Sequence, residues 1–140
     1  MVGTLKALAH FASATGSVGS NGALTVAFDE KGLGNGNIDY LLTADYSALF
    51  ACINGGGKHP QAANKETVSG DVSASGSFES KNGRVRASLT TAAPSAGSFS
   101  CPGGQKLVLA NVSYANIVLT DMTNDSSVGV ADATRVFFNV

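Results

Sequence analysis

A chain of 140 residues accommodates one domain around a single core and leaves no room for a second. Nine Lys and Arg against ten Asp and Glu give a net charge of −1, and no basic cluster exceeds the Arg84, Arg86 pair, so the footprint of a nucleic-acid binder is missing. Charged residues are only 14% of the chain and glycine reaches 17 residues, which leaves Ser, Thr, Asn and Gly to cover the surface, and no apolar run approaches the roughly 18 residues of a membrane-spanning helix.

The first stretch, "MVGTLKALAHFASATG", imitates a secretory signal, but His10 interrupts its apolar run and Lys6 is its whole basic flank. The expectation is that a signal was removed upstream and that Met1 is an expression start. Within it, "LKALAHFA" fits a helical face through Leu5, Leu8, Ala9 and Ala12 as well as a strand through Leu5, Ala7, Ala9 and Phe11. An internal resemblance favours the strand. "SATGSVGSNGALTVAF" from Ser13 aligns with "SASGSFESKNGRVRASL" from Ser73 around a shared Asn-Gly turn, and each copy reads as a β-hairpin.

Asn-Gly recurs at Asn21-Gly22, Asn35-Gly36, Asn54-Gly55 and Asn82-Gly83, each able to supply the positive φ angles of a tight hairpin turn. Between these turns "ALTVAF" from Ala23, "NIDYLLTADY" from Asn37, "SALFACI" from Ser47, "DVSASGSF" from Asp71 and "RVRASLTT" from Arg84 alternate or are β-branched, and read as strands. Beyond "PGGQ" come "KLVLANVSYANIVLTDM" from Lys106, with a break expected near Ser113, and "SVGVADATRVFFNV" from Ser127. Seven to nine short strands without a long helix predict an all-β fold, an antiparallel β-sandwich of Ig-like or related topology spanning residues 1–140, with a small barrel as the alternative.

Two cysteines in a chain with this surface suit an extracellular protein in which Cys52 and Cys101 pair; the alternative is two buried thiols in a reducing compartment. A bridge between a strand end and the start of another path is expected to join the two sheets.

At "ACINGGGKHPQAANKETV" and "FSCPGGQKLVLANVSYANIVLTD" the chain resembles a group of small secreted bacterial proteins, mainly actinobacterial and of no known activity, over about Gly22 to Phe138. The resemblance implies export and a cysteine-bridged β domain, and it carries over no catalytic residue.

No reaction signature stands out. "GGGKHP" lacks the hydroxyl and the following helix of a phosphate-binding loop, since Lys58 is followed by His59 and Pro60. Cys52 is expected to be oxidised and so unable to serve as a nucleophile for His59, and the two His and two Cys have no zinc-ligand spacing, with His10 projecting from a strand. No G-x-S-x-G elbow is present. Carboxylates for glycoside hydrolysis would have to come from Asp29, Glu30, Asp39, Asp45 or Asp121, brought together across the fold. "DEKGLGNGNID" from Asp29 and "DMTND" from Asp121 resemble calcium loops but lack the glycine and glutamate of the twelve-residue pattern.

The favoured reading is therefore an extracellular, non-catalytic binding module for a glycan or cell-surface polymer, needing no cofactor, metal, nucleic acid or membrane span. Its expected binding residues are Asn54, Lys58 and His59 on the glycine-rich loop, with Tyr40, Tyr46 and Tyr114 for stacking in a chain that has no Trp. The rival is a self-associating structural protein, since strands rich in Ser, Thr, Gly and Val leave sheet edges poorly guarded, and a small hydrolase stands third.

Overall fold

The computed structural model describes residues 8–54 and 64–140. Eight strands follow one another among the described residues: β1 (His10–Val18), β2 (Leu24–Lys31), β3 (Gly36–Asn54), β4 (Lys65–Ser80), β5 (Arg84–Thr90), β6 (Gln105–Asp121), β7 (Ser126–Val130) and β8 (Ala133–Val136). One antiparallel sheet has the order β1-β2-β5, the other β4-β3-β6-β7, with β8 also paired to β6. The two sheets pack into the expected sandwich.

Period-two alternation places the core. On β2, Leu24, Val26 and Phe28 point inward while Ala27 and Lys31 are exposed. Facing them are Ile38, Tyr40, Leu42, Ala44, Ala48 and Phe50 of β3 and Val112, Tyr114, Ile117 and Leu119 of β6, closed on one flank by Val85 and Leu89 of β5. A second, smaller cluster of Ala51, Ile53, Val108 and Ala110 lies under Phe138 and Val140. This is why Phe50 to Ile53 are buried on both faces of their strand.

The two strands expected from Asn37 and from Ser47 are one 19-residue strand, β3. β6 is likewise continuous over 17 residues, and the irregularity expected near Ser113 is a bulge just beyond it. There Asn116 takes φ +52° and the inward phase of β6 changes from Val112 and Tyr114 to Ile117 and Leu119.

The Asn21-Gly22 turn closes a true hairpin between β1 and β2, with Gly22 at φ +89° and Asn21 Oδ1 accepting the Ala23 N–H. Its expected duplicate behaves differently. Asn82 (φ 56°) and Gly83 (φ 75°) do form a tight turn, but only the Lys81–Arg84 bridge joins the strands beyond it before β4 goes to one sheet and β5 to the other. Phe78 and Val85 both turn toward the core where the strands part.

The expected Cys52–Cys101 disulfide is formed, with Cα atoms 5.6 Å apart. It does not join the two sheets as anticipated. Cys52 lies in β3 opposite Leu107 of β6, and Cys101 lies in the connection leading into β6, so the bridge fastens the β5–β6 connection to the sheet it is about to enter.

Candidate functional site

The residues expected to bind a ligand are spread along the sandwich. Lys58 and His59 lie outside the described residues. Asn54 is exposed at the end of β3, whereas Tyr40 lies near its start, a separation of roughly 45 Å along an extended strand. Tyr40 and Tyr114 are 1% and 0% exposed, which corrects the expectation that their rings stack on a sugar. Tyr114 instead donates its hydroxyl to the Gly22 carbonyl at 2.6 Å, tying the β1–β2 turn to the opposite sheet. Tyr46 is half-buried against Tyr114, ring centroids 6.4 Å apart.

Of the carboxylates considered for catalysis, two come together. Glu30 is the next inward position of β2 after Phe28, and it is fully buried, as is Asp121 at the end of β6. Glu30 Oε1 accepts the Tyr40 hydroxyl at 2.7 Å and Oε2 has no partner. Burial pushes the Glu30 carboxyl up to about 7, against the Tyr40 hydrogen bond, and the neighbouring Asp121 carboxylate pushes the same way. Burial and the Glu30 contact raise Tyr40 as well. Phe28, Tyr40 and Phe78 pack beside this group, with Phe28 and Tyr40 centroids 4.6 Å apart, and Phe11 covers it from β1. Sealed in this way, the pair cannot touch a substrate.

Asp121, Asp29 and Asp45 each have further partners. Asp121 uses both oxygens within its own turn, Oδ1 accepting the Thr123 and Asn124 N–H groups and Oδ2 the Asn124 side chain. Asp29 is clamped by Arg84, whose Nε and Nη2 donate at 2.8 and 2.6 Å, with Arg86 3.6 Å away. That hydrogen-bonded guanidinium holds the Asp29 carboxyl down at about 2. Asp45 faces Asp71 directly across β3 and β4 and accepts the Asn116 side-chain amide at 2.9 Å. Among the described residues, no group of three or more His, Cys, Asp and Glu is gathered for a metal ion.

Cationic groups do converge at one place. Where β4 and β5 part, a cleft of 520 Å³ is lined by Phe78, Glu79, Lys81, Arg84, Val85 and Arg86. Val85 is buried and Phe78 half-buried, so they form an apolar floor, while Lys81 and Arg86 stand exposed at the rim. Arg84 is fixed by Asp29 and holds its charge in place between them.

No protein-family model, curated protein or solved structure matches this chain.

Chemically, the cleft offers the Lys81 ammonium, the exposed Arg86 guanidinium that shares Asp29 at 3.6 Å, the pinned Arg84 and an apolar patch, against Glu79 and Asp29. That arrangement suits an anion with a hydrophobic face. In the sequence this site left only the Arg84, Arg86 pair, alternate residues of one strand and hence on one face. What brings Lys81 and Phe78 to them is the splaying of β4 from β5, which a hairpin reading hides.

Proposed function

We propose that the domain is an extracellular, non-catalytic binding module that holds an acidic glycan, or another anionic cell-surface polymer with apolar ring faces, in the cleft between β4 and β5. The observation that carries this reading is the meeting of Lys81, Arg84 and Arg86 over Phe78 and Val85 in a chain otherwise poor in charge. Carboxylates or sulfates of the polymer pair with Lys81 and Arg86, and a sugar face rests on Phe78. The disulfide supports export, since such a bridge persists in an oxidising compartment. A fixed scaffold with recognition at a strand junction suits binding better than turnover, because the clustered carboxyls of Glu30 and Asp121 are sealed in the core.

Calorimetric titration with polygalacturonate and with a neutral glucan tests the reading. Binding of the polyanion alone, weakening with salt and reduced at least tenfold in Lys81→Ala/Arg86→Ala, is the expected result. Equal affinity for both polymers, or an unaffected double variant, overturns it. Arg84 is left intact because its pairing with Asp29 is structural.

A further inference from the structure

We propose that the outer edge of β4 pairs with β4 of a second copy of this chain, antiparallel about a two-fold axis through Val72. This edge meets the glycan cleft at Glu79 but needs no ligand.

β4 is 16 residues long and pairs with β3 along its whole length without a register shift. It is the last strand of its sheet, and among the described residues its other side takes only the Lys81–Arg84 bridge just past its end. The other borders are guarded. β1 carries a bulge between Phe11 and Ser13, β5 carries Arg84 and Arg86, and β7 and β8 are 5 and 4 residues long. β4 has no proline and no bulge, and its inward positions Val68, Val72, Ala74, Gly76 and Phe78 are all apolar or glycine. What restricts a further strand is its charge, carried by Lys65, Glu66, Asp71 and Glu79.

The charges on β4 select both the partner and the register. In an antiparallel pair, opposite residues share a face, so a two-fold axis must pass through a residue for the half-buried sides of both copies to stay inward. Centred on Asp71, the pairing sets Asp71 against its own copy. Centred on Ser73, it sets Lys65 against Lys81. Centred on Val72, it sets Lys65 against Glu79 at both ends, Asp71 against Ser73, and Val72 against Val72, with no like charges opposed. Lys65 and Glu79 are both exposed on the outer face, free to meet. The two sheets then run on as one across the axis, and the edges that would recruit further chains are consumed in a closed dimer.

Sedimentation equilibrium of the oxidised protein from micromolar to millimolar concentration tests this directly. The expected result is a monomer–dimer equilibrium in which Lys65→Glu or Glu79→Lys alone weakens association about tenfold and the double exchange, Lys65→Glu/Glu79→Lys, restores it to within about threefold. A monomer throughout the range overturns the proposal, as does a dimer indifferent to both reversals or one that the double exchange fails to rescue. Glu79 also borders the cleft, so polygalacturonate affinity is measured on the same variants. A change in that affinity without a change in dimerisation overturns the edge pairing and leaves the cleft standing.

Discussion

The Tyr40 hydroxyl, on one sheet, donates to Glu30 Oε1, on the other, at 2.7 Å, in an interior where the second oxygen of that carboxyl has no partner. A proton on Oε2 gives Glu30 a donor to offer the adjacent Asp121 carboxylate and removes one of two buried charges. The hydrogen bond then joins the sheets without an uncompensated ion between them.

Stability should consequently fall as pH rises toward neutrality. The Glu30 carboxyl titrates near 4.5 when unfolded and at about 7 when folded, so the folded state retains a proton the unfolded state has lost. This contribution is fully present below pH 4.5 and lost as pH rises through 7; at about 1.4 kcal/mol per pH unit it is on the order of 3 kcal/mol. Glu30→Gln keeps the shape, accepts from Tyr40 and donates toward Asp121. Urea unfolding at a series of pH values should show the decline in the parent protein and its absence in the variant, which becomes the more stable of the two above neutrality.

Thiol titration of the denatured, unreduced chain should find no free thiol, and reduction should release two. The two cysteines are 49 positions apart in sequence, so reduction should cost up to about 4 kcal/mol in the chain-entropy picture. Comparing the urea midpoints of oxidised protein and of Cys52→Ser/Cys101→Ser measures the loss.

Tyr114→Phe should lower stability by about 1 to 2 kcal/mol, because it strips the buried Gly22 carbonyl of its hydroxyl partner while leaving the ring in place. Amide exchange should quicken in the β1–β2 turn more than in β3, since the lost bond is the tie between that turn and the other sheet.

Asp71→Asn should raise stability by a few tenths to about 1 kcal/mol, by relieving the like-charge contact with Asp45 directly across the β3–β4 pair. Both positions are exposed, so thermal melts at low and high salt should show the gain shrinking as screening increases.

The fold class was legible because alternation on β2, β3 and β6 is a local signal, and the Asn-Gly turns punctuate it. The length of β3 was not, since a bulge is defined by the partner strand; the step between Thr43 and Asp45 exists only against Val118 and Ala115 of β6. The buried acid was readable in principle. Glu30 follows Leu24, Val26 and Phe28 in strict period two, and an acid at the next inward place needs a buried partner. Its partners, Tyr40 and Asp121, could not be read, because they reach Glu30 through sheet packing rather than spacing. The tyrosines misled for a related reason: an aromatic residue in a strand signals burial and binding equally, and only the phase against the opposite sheet decides between them. The cystine was legible as a pair, but its place within one sheet depended on where the β5–β6 connection returns.

The central position of β3 also bears on how fast the chain folds. Its pairing with β4 and the β1–β2 hairpin are nearby in sequence, whereas β6 must reach β3 from Asn54 with Gln105 to Tyr40 with Asp121, across most of the intervening chain. Such distant pairing is what slows a β protein, because the closure entropy is spent before the contacts form. Cys101 immediately precedes β6 and Cys52 lies inside the stretch of β3 that β6 must find. With the bridge in place that search is nearly over before it begins, so the oxidised chain should refold faster than the reduced one and spend less time with the long β3 edge exposed to other chains.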